Sequence, residues 1–260
     1  MEEFGIIRHG EKLTVDEQRK PLEESGLTKE QQHKWQSALE TLKLEEAEIA
    51  YAALPKIEDM AKGMYDRLPN EALVIFAPTQ IPRARMTAHL LSGELGVLSS
   101  SGNKSIATAF VWEQKDIAQD LASVSNVAMY PLEMTELIKT FAEQDKADDE
   151  ALKLYLEQAT PHDLGSRTYR DEDALIFKSS NADLASENSI MRKRGELMKE
   201  QLSTVMQEFK EHPVPVYFYG VGHHGSLIAL DAAFNGRTHY DSVEDMPKPL
   251  ELWKANLDSK

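Results

Sequence analysis

Residues 214–222 read VPVYFYGVG, and residues 223–227 continue as HHGSL. Pro213 stands ahead of the run, and β-branched and aromatic residues fill it, which predicts a strand. The run stops at a glycine and two histidines. The following SLIALDAAF (226–234) has the apolar density of a helix. Strand, tight turn and helix make a βα unit, and the same grammar recurs upstream. FGII (4–7) is a short apolar strand that ends at Arg8-His9-Gly10. ALVIFA (72–77) is another, followed by the helical PRARMTAHLLSGEL (82–95). IATAFVW (106–112) is a weaker strand because of its alanines. Strands alternating with helical patterns predict an α/β fold with a mainly parallel sheet.

The rest of the chain supplies helices and loops. Residues 11–27 are polar, with Pro21, Ser25 and Gly26, and read as loop. Thr28 and Gln31 have capping-box spacing. They open a strongly helical stretch, 29–68, with an expected break near Pro55. YPLEMTELIKTFAEQ (130–144) and DDEALKLYLEQ (148–158) also read as helices, whereas ATPHDLGSRTYRDED (159–173) is loop-like. Residues 186–212 predict one long amphipathic helix, whose Met191, Met198 and Met206 are assigned to core packing. The expected architecture is a single domain over 1–260. It is a three-layer α/β/α arrangement with a mostly helical insertion at about 114–185, before the last core strand.

Composition narrows the function. Asp plus Glu number 44 and Lys plus Arg 29, a formal charge of −15, so nucleic acid and anionic membrane are not expected partners. There is no cysteine, which excludes disulfides, thiolate zinc sites and a cysteine nucleophile. The opening MEEFGIIRHG is acidic with only a short apolar run, unlike a signal peptide. A soluble, cytoplasmic protein is expected.

In open α/β sheets, ligands bind outside the carboxyl ends of strands. Three of those ends carry Arg or His: Arg8-His9-Gly10, then Thr79 through Arg83 and Arg85, then Gly222-His223-His224-Gly225. None carries a carboxylate, so a metal or sugar site is not indicated. Arginine forks match phosphate oxygens, and helix N-termini add backbone N–H groups. A histidine among arginines stays neutral, and its free nitrogen attacks phosphorus in line.

The motifs IIRHGE, then Thr79 to Ala88 as T-x-x-x-R-A-x-x-T-A, then GVGHHGSL resemble the histidine phosphatase superfamily, also called the phosphoglycerate mutase-like family. They span residues 6 to 227 in the family's order. The resemblance implies that His9 is the phosphorylated nucleophile and that Arg8 and Arg83 clamp the phosphoryl oxygens. His223 completes the pocket. It is preferred to His224 because Gly222 precedes it and because HHGSLIAL aligns with His223 first, leaving His224 as a departure beside the substrate. The resemblance to the larger branch implies Glu113 as proton donor, with Asp116 and Glu133 as rivals. The smaller branch, with an aspartate after the second histidine, fits poorly, and His162-Asp163 is a decoy.

Other residues have plainer expectations. Thr79 caps a helix, and Arg85 is a solvated charge unless it meets the distal part of a substrate. His89, His162, His212 and His239 are incidental. The expected activity is metal-independent, cofactor-free hydrolysis of phosphomonoesters, on a small phosphorylated substrate or a phosphoprotein. A phosphoglycerate mutase and a phosphate-binding regulatory protein are the alternatives.

Overall fold

Strands buried on both faces need near-continuous apolar runs, and those runs form the centre of this protein. A computed structural model of the chain describes residues 3–10, 21–44, 49–78, 82–110, 128–129, 177–178, 180–187, 189, 191–193, 195–196, 199–200, 209, 211–222 and 224–254. Strand β1 is Glu3–Arg8, β2 is Glu71–Pro78, β3 is Ser105–Phe110 and β5 is Val216–Gly222. Two short strands complete the sheet: β4 (Ala128–Met129) and β6 (Leu252–Lys254). The six-stranded order is β4-β3-β2-β5-β1-β6. All neighbours are parallel except β6, which runs antiparallel to β1. The protein is therefore α/β with a mostly parallel sheet.

Alternate strand residues feed two apolar clusters, as the two-residue strand period requires. Ile7, Val74, Phe76, Phe110, Tyr219 and Val221 pack with Trp35, Leu54, Ile57, Met64 and Leu91. These last residues belong to helices α1 (Lys29–Leu42), α2 (Ala53–Arg67) and α3 (Pro82–Ser101). Phe4, Ile6, Leu73, Ile75 and Phe218 pack instead with Leu227 and Leu230 of α4 (His224–Asn235). Lys34 ties the first three helices together: its Nζ lies 3.3 Å from Glu30, 3.2 Å from Glu58 and 2.8 Å from Glu94.

The capping box at Thr28 is present in both directions: Gln31 N–H donates to Thr28 Oγ1 and Thr28 N–H to Gln31 Oε1. The expected break near Pro55 lies earlier. Lys43 takes a left-handed conformation (φ 53°), and Leu44 N–H returns to the Leu39 carbonyl. That closure ends α1. Pro55 falls in the first turn of α2, where its missing N–H has no helical partner to lose. The expected helix over 186–212 also starts later. Residues 180–184 are helical, 185–187 turn, and helix resumes at 191. Asp183 Oδ2 accepts from Ser189 Oγ (2.6 Å) and Met191 N–H (3.0 Å), while Ser189 Oγ caps Arg192 N–H at 3.0 Å.

The helices expected at 130–144 and 148–158 lie outside the described residues, as does most of the 114–185 insertion. Among the described residues, no helix is long and apolar enough to cross a membrane.

Candidate active site

Parallel pairing brings three strand ends level. Arg8 is the register partner of Gly222, and Pro78 is that of Val221. Since β5 lies between β1 and β2, their carboxyl ends sit side by side. Hydrogen bonds then stitch the ends together. His9 N–H donates to the Gly222 carbonyl at 3.0 Å. Gly10 N–H donates to Thr87 Oγ1 at 3.1 Å, and Thr87 Oγ1 donates to the Arg83 carbonyl at 2.8 Å. The RHG turn is thus fastened at once to β5 and to the first turns of α3. Pro82 opens that helix, a position where the absent N–H costs nothing.

Arg8 and His9 are both buried, with 5% and 4% of their surfaces exposed. Arg8 belongs to β1 itself rather than following it. Its Nη1 donates to the Pro247 carbonyl at 2.7 Å. Arg83 is half-buried in the first turn of α3, and its Nε is enclosed with no hydrogen-bond partner among the described residues. A buried cationic donor of that kind suits an anion.

The His9 ring has a defined tautomer. Nδ1 lies 2.8 Å from the Gly10 carbonyl oxygen. A carbonyl only accepts, so Nδ1 carries the proton. In the neutral ring the lone pair then belongs to Nε2, the nitrogen with nucleophilic character.

Comparison with protein-family models gives no match, and comparison with curated proteins gives none.

The other candidates divide. His223, Glu113, Asp116, Glu133, Thr79 and the His162-Asp163 pair lie outside the described residues. His224 begins the backbone of α4. Arg85 departs from the expected solvated charge. It is half-buried, and that burial holds its guanidinium below the usual arginine range. Arg85, His89 and Ser92 follow helical spacing, and Ser92 Oγ donates to Thr108 Oγ1 of β3 at 2.9 Å. That side of α3 therefore faces β3. Thr87 lies within the Thr79 to Ala88 motif, and its place four residues after Arg83 is the signal that the two share a face. The Pro247 carbonyl has no sequence signal at all.

His89 bears on stability. Burial pushes its pKa down from 6.5 to about 4. In the unfolded chain the ring is protonated as pH falls through its ordinary value, whereas in the fold it resists. Its contribution is intact above that value and is lost between about pH 6.5 and pH 4, up to about 3 kcal/mol. Urea unfolding at pH 7 and pH 4.5 checks this. The native protein is expected to lose more stability between the two than His89→Gln does; equal losses contradict the assignment.

Proposed function

We propose that the protein is a metal-independent phosphatase that hydrolyses phosphomonoesters through a phosphohistidine on His9, as in the larger branch of the histidine phosphatases. The observation that carries this reading is the Nδ1 contact to the Gly10 carbonyl, which leaves Nε2 as the nucleophilic nitrogen. The enclosed Arg83 Nε and the level ends of β1, β2 and β5 support it.

In the proposed reaction, His9 Nε2 attacks phosphorus as the bond to the leaving oxygen breaks. Glu113 gives that oxygen its proton. Water then attacks the phosphohistidine, returning a proton to Glu113 and freeing inorganic phosphate and neutral His9. Arg8, Arg83 and His223 hold the phosphoryl oxygens as charge develops, with His224 beside the substrate. This reading carries a three-layer α/β/α domain over 1–260, an insertion at about 114–185 lining the substrate mouth, and a cytoplasmic setting.

The test is turnover of p-nitrophenyl phosphate across pH 4–8, with and without EDTA. Turnover insensitive to EDTA is expected, and Arg83→Ala is expected to lower it by about 10²–10⁴-fold. EDTA-sensitive turnover, or none from the native protein, overturns the proposal.

A further inference from the structure

We infer that residues 247–251 form a strap that positions Arg8 for the reaction, and that Leu250 is the residue on which its shape depends. The inference rests on the phosphatase reading of the site. Three hydrogen bonds join this one short segment to Arg8. The Pro247 carbonyl accepts from Arg8 Nη1 at 2.7 Å. Leu250 N–H donates to the Arg8 carbonyl at 3.0 Å, and Arg8 N–H donates to the Glu251 carbonyl at 3.3 Å. Backbone and guanidinium are therefore both held from the far end of the chain.

A strap that contacts one arginine in three places must bend sharply. The bend is visible at Leu250, whose φ is 57°. Among the described residues only Lys43 shares a left-handed backbone without being glycine, and Lys43 ends a helix. Leucine is a costly residue for that conformation, and such strain persists where surrounding contacts impose it. The contacts here are specific. Glu251 N–H donates to the Lys248 carbonyl at 3.0 Å, and Lys248 N–H donates to Glu251 Oε2 at 2.6 Å, closing a turn around Leu250.

Both ends of the strap are anchored. Met246 is buried with Leu184, Ile228 and Ala232. Beyond it, Trp253 Nε1 donates to Asp231 Oδ1 at 3.2 Å. Asp231 also accepts from Asn235, Arg237 and Tyr240, so it is a rigid post on α4. A segment fixed at both ends and bent in the middle transmits its shape to the guanidinium it holds. Rotating a planar arginine fork by a small angle costs its two-point match to a phosphoryl group.

Two substitutions at Leu250 separate this role from packing. Isoleucine keeps the volume and hydrophobicity of leucine but is β-branched, and resists a left-handed backbone. Asparagine loses the hydrophobic side chain but accepts that backbone. Leu250→Ile is expected to lower kcat about tenfold, to weaken orthovanadate inhibition by a similar factor and to leave KM within about threefold. Leu250→Asn is expected to retain most of the native kcat. If isoleucine is tolerated better than asparagine, Leu250 serves packing and the strap inference is overturned. Glu251→Ala, which opens the turn, gives a second reading and should be restored by Glu251→Gln; an unchanged kcat in Glu251→Ala also overturns it. Native protein that neither turns over p-nitrophenyl phosphate nor binds orthovanadate overturns the phosphatase reading itself, which distinguishes that failure from failure of the strap.

Discussion

His9→Ala is expected to reduce phosphomonoester turnover by at least about 10⁴-fold, to the background of the uncatalysed reaction. The size follows from the role. Arginines and histidines around a phosphoryl group each stabilise charge, and removing one leaves the covalent route open. Removing Nε2 closes it. The fold should survive, because the ring's hydrogen bond to the Gly10 carbonyl is a local one, while the backbone of His9 keeps its bond to Gly222. Thermal unfolding within a few degrees of native, together with phosphate affinity within about tenfold, would show that pocket and fold persist. Residual turnover within tenfold of native would remove His9 from the reaction.

The second large effect concerns stability. Gly195→Ala is expected to cost about 3 kcal/mol or more and to lower the melting temperature by roughly 6–12 °C. A Cβ at Gly195 would stand 2.0 Å from the Ala229 carbonyl oxygen, 2.7 Å from its carbon and 2.9 Å from Ala233 Cβ. Two of these are backbone atoms of α4, whose Ile228, Ala229 and Leu230 are fully buried. Neither side has room to yield. The chain therefore approaches α4 as closely as it does because residue 195 lacks a side chain. Gly96 in α3 makes the opposite case: nothing lies within 4 Å of its would-be Cβ. Gly96→Ala should stabilise by about 1 kcal/mol through helix propensity alone. One chemical change with opposite signs at two positions is a strict test, read by thermal denaturation of the two variants. Because α4 starts where β5 ends, Gly195→Ala should also depress turnover.

What could be read from residues alone follows a physical pattern. β1, β2 and β5 were legible because both faces of each are buried, which demands runs such as ALVIFA and VYFYGV; β3 is weaker because one face opens at Ser105 and Ala107. The capping box at Thr28 was legible because it is a local exchange between residues three apart. Pro55 misled because proline breaks a helix interior but is tolerated in a first turn, and sequence alone does not say which applies. β6 was missed because Leu252–Lys254 is too short to show a period and pairs with β1 from the other end of the chain. The site divides in the same way. Arg8, His9 and Arg83 announce themselves by residue type at strand ends. The bond from Arg8 to Pro247 spans 239 positions and ends on a backbone carbonyl, which any residue would supply. The half-burial of Arg85 depends on what packs around α3, and no local pattern reports it.

The central claim is that His9 carries the phosphoryl group during turnover. Acid-labile phosphohistidine survives alkaline quenching, so the protein can be mixed with substrate, quenched in base within milliseconds and digested for mass spectrometry. The account predicts phosphate on the peptide that contains His9, appearing before free phosphate reaches its steady rate and absent from His9→Ala. Turnover with no phosphorylated histidine, or phosphate found on another residue, would contradict it.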